Sequence, residues 1–581
     1  MEAPGLYGPT VADVAGRILA DLGVGHAFGV VGSGNFVLTN ALRAGGVPFT
    51  AARHEGGAAS MADAYSRMSG RVGVLSVHQG CGLTNAMTGI AEAAKSRTPM
   101  IVLTADSAAS ALRSNFRIDQ EALATSVGAA NDRVYGPGTV VSDVIRAFRT
   151  AVTQRRTVVL HVAIDIAAAA AGVEGPITYS VEPPRVRPDA RSAARLADAL
   201  RGARRPVFVA GRGARDAGAE VAALAAAAGA LVATSAVANG LFEGNPFSLG
   251  ISGGFSSPTT AELIADADLI VGWGCALNMW TMRHGRLIGA DTTVIQVDVE
   301  IDAIGAHRPV DLGVVGDCAA TATDVLALLA DDGPAATGAG SGASGPNETG
   351  AGSGASGPNG TGYRTTAVRQ RISESSRWQD VPVTGAVTSG RVDPRALTIA
   401  LDDILPADRI VSIDSGNFMG YPSTHLSVPD EYGFCFTQAF QSIGLGLGTA
   451  IGAAFAQPGR LPVLGTGDGG FLMAIAELET AVRLALPLVV IVYNDSAYGA
   501  EVHHFGDADM TTVTFPEVDI AAIARGHGAT GVTVTSLDDL DEIRSWVASL
   551  PSPEPSGPLV IDAKIADDGG AWWLAEAFAG H

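Results

Sequence analysis

The apolar residues of this chain recur with two alternating periods. Short unbroken runs rich in Val, Ile, Leu and Phe (GHAFGVV, RVGVLSV and MIVLTA) alternate with Ala-rich stretches of helical spacing at 35–44 and 85–95. Such a run reads as a buried strand and the stretch after it as a helix packed on the sheet, so the series is βαβ punctuation. A second series begins near RRPVFVAGRG and continues through ALVATSA, DLIVGWG and TVIQVDV. A third passes through DRIVSID, LPVLGTGDGG, LPLVVIVYND and GPLVIDAKI. Together they predict three consecutive doubly wound α/β domains, each with a mostly parallel sheet covered by helices on both faces. Their expected limits are 1–180, 186–330 and 380–575.

Between the second and third series the segment TGAGSGASGPN at 337–347 recurs at 349–359. A tract of Gly, Ala, Ser, Pro, Asn and Thr cannot bury enough apolar surface to offset its ordering entropy, so 331–364 reads as a flexible linker without chemistry. Length agrees with this division, since 581 residues exceed what one core usually serves. Hydrophobic residues make up 47% and charged residues 17%, enough apolar material for large cores.

Charge narrows the partners. Fifty-nine acidic residues against 38 Lys and Arg give a net charge of −21, which repels nucleic acid phosphates and anionic membranes. Cys81, Cys275, Cys318 and Cys435 lie far apart without C-x-x-C pairing and read as reduced thiols rather than a zinc site or disulfide framework. The segment MEAPGLYGPT has no basic run leading into an apolar stretch, and no stretch is long enough to span a bilayer. A soluble cytoplasmic protein is expected.

The richest segment for chemistry is LPVLGTGDGGFLMAIAELETAVRLALPLVVIVYNDSAYG. A strand runs into Gly467, Asp468, Gly469 and Gly470, a helix follows, and a second strand ends at Asn494 and Asp495. Glycines after a strand let a phosphate approach the N–H groups at a helix N-terminus. Asp468 and Asp495 would then stand at the ends of neighbouring parallel strands, placed to share one hard cation with that phosphate. Taken alone, GDGG is equally an ordinary Gly-Asp turn.

In these residues the chain resembles the thiamine diphosphate enzyme superfamily, in its acetolactate synthase-like and 2-oxo acid decarboxylase group. Its cofactor signature is GDG followed by an NN or ND pair. The resemblance implies pyrimidine-binding, central Rossmann-like and diphosphate-binding domains in that order. It implies thiamine diphosphate with Mg²⁺ held by Asp468, Asp495 and the backbone carbonyl of Ala497, although many members have Asn where this chain has Asp495. RHEGGAASMADAYSR is similar to the motif that supplies the glutamate on the cofactor's pyrimidine, which makes Glu55 the first catalytic candidate. Read alone, Glu55 is a helix-start carboxylate favoured by the macrodipole. Ile443 matches the bulky residue wedged between the cofactor's rings. Gly416, Asn417 and Phe418 in DSGNFMG, with Tyr498, complete the implied cofactor contacts.

The same resemblance builds the substrate pocket from the loop at 32–35, the loop carrying His78 and Gln79, and the facing Gln120. YGAEVHHF brings Glu501, His503 and His504 near the metal loop. His504 stands where acetohydroxyacid synthases carry a tryptophan, which argues against a housekeeping biosynthetic role. In the central domain AGRGARDAG could hold FAD or the ADP part of CoA but lacks a full G-x-G-x-x-G. Arg212, Arg215, Arg283 and His284 are either phosphate contacts or solvated side chains. The implied activity is C–C bond cleavage or formation beside a carbonyl: decarboxylation of a 2-oxo acid such as pyruvate, with ligation to a second carbonyl. The alternative is a 2-hydroxyacyl-CoA lyase or oxalyl-CoA decarboxylase-like enzyme acting on an acyl-CoA. A catalytically silent thiamine-binding protein is opposed by the intact set of Glu55, Asp468 and Asp495. A homodimer or homotetramer with sites between subunits is implied as well.

Overall fold

Strands form where the β-branched runs fall, and each set of six closes into its own sheet. The computed structural model describes residues 8–172, 180, 185–331, 362–382, 388–550 and 556–569. The first sheet runs in the order Phe49–Ala51, His26–Gly29, Gly73–Val77, Met100–Asp106, Thr157–Ala163, Ala130–Arg133, with parallel pairing throughout. The third repeats that order: Phe434–Phe436, Arg409–Ile413, Leu461–Gly467, Val489–Asn494, Leu559–Lys564, Thr530–Val534. The middle sheet differs, with Ser248–Ile251, Leu231–Thr234, Pro206–Ala210, Leu269–Trp273, Thr293–Asp298 and Leu312–Val315 in sequence across it. That is the Rossmann-type order, with the first strand of the domain near the centre.

The first and third sheets belong to one compact unit and the middle sheet to another. Within the first unit, helices of both domains share a core that contains Met61, Ile90, Leu447, Ile451, Leu478 and Val490. Its tightest joint is between the helices Glu55–Ser69 and Gly446–Ala456. A Cβ at Gly448 would lie 2.6 Å from the Gly57 carbonyl oxygen, and one at Gly452 would lie 2.2 Å from that of Met61. Only glycine permits this approach. Arg67 on the first helix is buried and pairs with Asp63 at 2.7 Å and Glu92 at 2.8 Å, and Glu92 in turn accepts the N–H groups of Ala439 and Phe440 at 3.1 and 2.6 Å. Buried charges of this kind persist only when paired and hydrogen-bonded.

In the second unit, two apolar clusters cover the two faces of the middle sheet. Most of the Gly/Ser/Ala-rich tract, 332–361, lies outside the described residues. Just beyond it, Tyr363 is buried in this unit, donating its N–H to Gly229 at 2.8 Å and its hydroxyl to the Leu263 carbonyl at 3.1 Å. Among the described residues no helix is long and apolar enough to cross a membrane.

The shared order of the first and third sheets makes the connections leaving two adjacent strands run to opposite sides at one point in each. These points lie between His26–Gly29 and Gly73–Val77, and between Arg409–Ile413 and Leu461–Gly467. In open α/β sheets ligands bind outside the strand ends at such switch points. The loop at 32–35 and His78 follow the strands at the first point, and 414–418 and Asp468 follow those at the second.

Candidate active site

In the C-terminal domain Asp468 opens the helix Asp468–Met473, directly after its strand. The next strand pairs in register, Tyr493 opposite Gly467, so Asp495 emerges beside it. Ser496 turns the chain with φ +59, and the Ala497 N–H donates to Asp495 Oδ1 at 3.1 Å. The glycines make room for these groups: a Cβ at Gly499 would sit 2.4 Å from Asp495 Oδ2, and one at Gly469 would sit 2.7 Å from the Tyr498 ring. The two carboxyl groups stand close enough to interact electrostatically, Asp468 buried and Asp495 half-buried. Burial pushes Asp468 up to about 6, and burial together with the facing Asp468 charge pushes Asp495 up to about 7. Two adjacent acids whose ionisation is opposed in this way are a donor set into which a divalent cation fits, because its charge lets both ionise. Among the described residues no group of three or more His, Cys, Asp or Glu side chains is placed to hold a metal, so this is a two-carboxylate site. Mg²⁺ suits such a site when phosphate oxygens complete its shell.

Asp414, at the end of the neighbouring strand, gathers the surrounding loops. It accepts the Ser415 N–H at 2.8 Å, the Gly444 N–H at 3.0 Å and the Thr466 hydroxyl at 3.1 Å. Burial pushes it up to about 6. A Cβ at Gly470 would stand 2.5 Å from Asp414 Oδ2, so the glycine belongs to the same knot. Asn417 is buried beside it, and Phe418 turns its ring inward onto Tyr493 with centroids 5.7 Å apart. Phe418 therefore offers the site its backbone rather than its ring. A Cβ at Gly416 would meet that ring at 2.5 Å. Ile443 is half-buried on the loop that Asp414 anchors through Gly444.

In the N-terminal domain Glu55 is the first residue of its helix, and His54 caps it by accepting the Gly56 N–H on Nδ1 at 3.0 Å. Asn85 donates to Glu55 Oε2 at 3.1 Å. Glu55 Oε1 lies 3.4 Å, and the His78 Cβ 3.1 Å, from where a Gly82 Cβ would be, so the glutamate and the His78 loop flank one glycine. His78 is buried, with Nδ1 2.8 Å from the Gln79 carbonyl oxygen, Nε2 3.4 Å from the Ser33 hydroxyl and its ring edge-on to Phe116. Gln79 is also buried, and its Oε1 has no hydrogen-bond partner among the described residues. A Cβ at Gly34 would lie 1.6 Å from that oxygen. Asn35 shapes the opposing loop, accepting the Gly32 N–H at 2.8 Å and donating to Ser76 Oγ at 3.1 Å.

Gln120 sits apart from these groups in its use. Its Oε1 accepts the Gly80 N–H at 2.8 Å and its Nε2 donates to the Ala105 carbonyl at 3.0 Å, so the amide braces the His78 loop. Glu501 lies exposed on the short helix Gly499–His504, with His503 half-buried and His504 exposed. In the second unit the Arg212–Gly213 loop rests on the Gly274 backbone, where a Cβ on Gly213 would be 2.8 Å from Gly274 Cα. Arg215 donates to the Val237 carbonyl at 2.7 Å and Arg283 to the Gly253 carbonyl at 3.0 Å, and both side chains are thereby directed at backbone.

The structure thus brings together Asp468, Asp495 and Ala497 with Gly467, Gly469, Gly470 and Tyr498, and separately Glu55 with His78 and Gln79. Sequence reasoning missed Asn85, Asp414 and Glu477. Asn85 and Glu477 were in view in GCGLTN and AELET, but a lone polar residue in a helix gives no sign of its partner.

Comparison with known proteins matches three profiles along the chain. Residues 9–125 match the thiamine pyrophosphate enzyme N-terminal TPP binding domain, 193–325 the central domain, and 414–563 the C-terminal TPP binding domain. The chain is 28% identical over 550 residues to sulfoacetaldehyde acetyltransferase of Rhodobacter capsulatus, covering 90% of this chain and 89% of that one. It is 28% identical over 552 residues to a probable 2-ketoarginine decarboxylase of Pseudomonas aeruginosa, covering 91% and 89%. It is 27% identical over 568 residues to the acetolactate synthase large subunit of Parasynechococcus marenigrum, covering 94% and 85%.

Proposed function

The chain belongs to the thiamine pyrophosphate enzyme family, with that family's N-terminal, central and C-terminal domains, and from this premise we propose that it decarboxylates a 2-oxo acid with Mg²⁺ and transfers the remaining acyl unit to a second carbonyl. The observation that carries the reading is the pair of carboxyl groups of Asp468, buried, and Asp495, half-buried, brought together at neighbouring strand ends. Relatives named for decarboxylating 2-ketoarginine, synthesising acetolactate and transferring acetyl support the choice of donor.

Bound thiamine diphosphate supplies the carbon nucleophile and electron sink that cleavage beside a carbonyl requires. In this reading Asp468, Asp495 and the Ala497 carbonyl hold Mg²⁺ against the diphosphate, and Gly467, Gly469 and Gly470 leave room for it at the helix N-terminus. Gly416, Asn417 and the Phe418 backbone would add further diphosphate contacts, Ile443 would wedge between the cofactor's rings, and Tyr498 would be a further contact beside Gly469. Glu55 holds a proton at the pyrimidine nitrogen, and Asn85, at 3.1 Å, keeps its carboxylate turned to that task. His78 and Gln79 face the substrate, the unpaired Gln79 Oε1 being the readiest acceptor for a substrate hydroxyl. Glu501 stands as an acid or base near the metal loop.

The test is purified protein with thiamine diphosphate and Mg²⁺, offered pyruvate with and without an aldehyde, following CO₂ and acyloin together, with acyl-CoA substrates in parallel. Release of CO₂ with ligated product is expected. Turnover confined to CoA thioesters would move the assignment to a lyase of 2-hydroxyacyl-CoA or oxalyl-CoA type. Glu55→Gln should abolish turnover while the fold and Mg²⁺ binding persist, and unchanged activity would remove Glu55 from the mechanism.

A further inference from the structure

Building on the role given to Glu55 above, we propose that Glu477 is its positioning residue: a buried carboxylate of the C-terminal domain that grips the backbone just ahead of Glu55 and so sets where the Glu55 side chain stands.

Glu477 is the second residue of the helix Ala476–Arg483 and is 2% exposed. Its Oε1 accepts the N–H groups of His54 at 2.8 Å and Arg53 at 3.1 Å, and Thr480 donates its hydroxyl to Oε2 at 2.8 Å. The two backbone donors belong to the residues immediately before Glu55, and His54 is the cap from which the Glu55 helix starts. Placing a carboxylate in a buried position costs free energy unless hydrogen bonds offset it. Those that offset it here come from this one turn of chain and from Thr480. The space for the carboxylate is also specified: a Cβ at Gly57 would lie 2.4 Å from Glu477 Oε1. Glu55 is thereby held from both sides, by the grip on 53–54 behind and by Asn85 on its Oε2 in front.

Docking of the two domains alone does not account for the buried acid. Arg53 already pairs with Glu479, and Arg483 donates to the Ala51 carbonyl, on the exposed rim of the same contact. Those contacts hold the helix to the chain at 51–53 without fixing the peptide groups at 53 and 54. Among the described residues only Glu477 does that, and it acts through the backbone.

Three variants test the proposal. Glu477→Ala removes the acceptors, Glu477→Gln keeps an oxygen for His54 and Arg53, and Gly57→Ala leaves Glu477 intact but fills the space its Oε1 needs. Glu477→Ala and Gly57→Ala should each lower kcat by about 100-fold, the scale of a misplacement of about 1 Å. KM and the Kd for thiamine diphosphate with Mg²⁺, read by tryptophan fluorescence, should stay unchanged. Glu477→Gln should recover most of the rate, and the double variant should be no slower than either single one, since each acts on the same grip. Amide hydrogen exchange of the unliganded proteins should quicken at 53–57 in the two slow variants and match wild type in Glu477→Gln.

Wild-type kcat in Glu477→Ala, or unchanged exchange at 53–57, overturns the proposal. So does a loss of cofactor affinity equal to the loss of rate. If Glu477→Ala does not fold, Gly57→Ala decides alone: wild-type rate and exchange there refute the grip. Failure of the underlying reading shows separately, as a wild type that binds thiamine diphosphate yet releases no CO₂ from any 2-oxo acid. In that case deuterium exchange at the thiazolium C2 of the bound cofactor, followed by NMR, replaces kcat as the rate.

Discussion

The closest approach between the two cofactor-binding domains can be tested with one methyl group. Gly452 lies inside the helix Gly446–Ala456, and a Cβ there would stand 2.2 Å from the Met61 carbonyl oxygen, 2.7 Å from its Cα and 2.8 Å from its carbonyl carbon. All three atoms are backbone of the facing helix, so no side-chain rotation relieves the overlap. Two terms of opposite sign meet in Gly452→Ala. Helix propensity favours Ala over Gly by about 1 kcal/mol. Overpacking costs about 1–3 kcal/mol, and the upper end applies here because the obstruction is main chain. The net expectation is destabilisation by about 1–2 kcal/mol. Urea unfolding followed by fluorescence reads it as a lower midpoint with an unchanged slope. The control is Gly526→Ala, at the end of the helix Ile520–Gly526, where an added Cβ meets nothing within 4 Å. There the propensity term acts alone, and stability should rise by up to about 1 kcal/mol. If Gly452→Ala matches or exceeds wild type while Gly526→Ala behaves as stated, the helices do not touch as described. Gly448→Ala adds a functional readout. Its Cβ would press on the Gly57 carbonyl at 2.6 Å, close to Glu55, so it should lower activity more than Gly452→Ala does for the same loss of stability.

Removing one acid from the Asp468 and Asp495 pair should separate stability from function. Burial and the facing charge raise Asp495 to about 7, so at pH 8 the unliganded protein holds two ionised groups against each other. Asp495→Asn should raise its unfolding temperature by the equivalent of about 1–3 kcal/mol, while Mg²⁺ with thiamine diphosphate should stabilise the variant less than it does wild type. Melts at pH 8 with and without the ligands check both, and equal ligand-induced shifts would count against a metal role for Asp495. His26 supplies a pH prediction. Burial lowers it to about 4 from 6.5, so the unfolded chain takes up a proton that the fold excludes until near pH 4. Its contribution is therefore present above pH 6.5 and lost as the pH falls toward 4. Between pH 7 and 5 wild type should lose about 2 kcal/mol more than His26→Gln, measured by urea unfolding at both pH values. Parallel losses would refute a buried neutral His26.

Much of this architecture was legible because central parallel strands are buried on both faces and read as continuous apolar runs. Val489–Asn494, wholly buried, is plain in LPLVVIVYND. Edge strands carry no such signal: Ala130–Arg133 is the polar run ANDR, and Phe434–Phe436 is three residues long. Thr157–Ala163, the run TVVLHVA, is likewise buried throughout and is a further strand beyond the three runs named for the first domain. Among the candidate site residues, Asp468 stood out because it follows a strand between two glycines, and Asp495 because it follows the next long apolar strand. Asp414 also ends a strand, but its work is to accept hydrogen bonds from Gly444 and Thr466, partners that only the fold brings near. Long-range partners leave no trace in local pattern, which is why Asn85, Asp414 and Glu477 could not be read from the sequence.

The missed residues share a logic that bears on how the site is kept in shape. Glu92, on the N-terminal domain, accepts the N–H groups of Ala439 and Phe440, close ahead of Ile443. Glu477, on the C-terminal domain, accepts those of Arg53 and His54, immediately ahead of Glu55. Each domain thus sends one buried carboxylate into the other and grips the chain beside a candidate cofactor contact. The two grips flank the glycine-lined joint at Gly448 and Gly452, where the helices are too close to slide without backbone overlap. Apolar packing fixes that two helices meet but tolerates small shifts, whereas a hydrogen bond near 2.8 Å does not. With a joint too tight to slide and a polar grip on either side of it, the first and third domains hold each other in place, and the positions of Glu55 and Ile443 follow from that joint as much as from the segments that carry them.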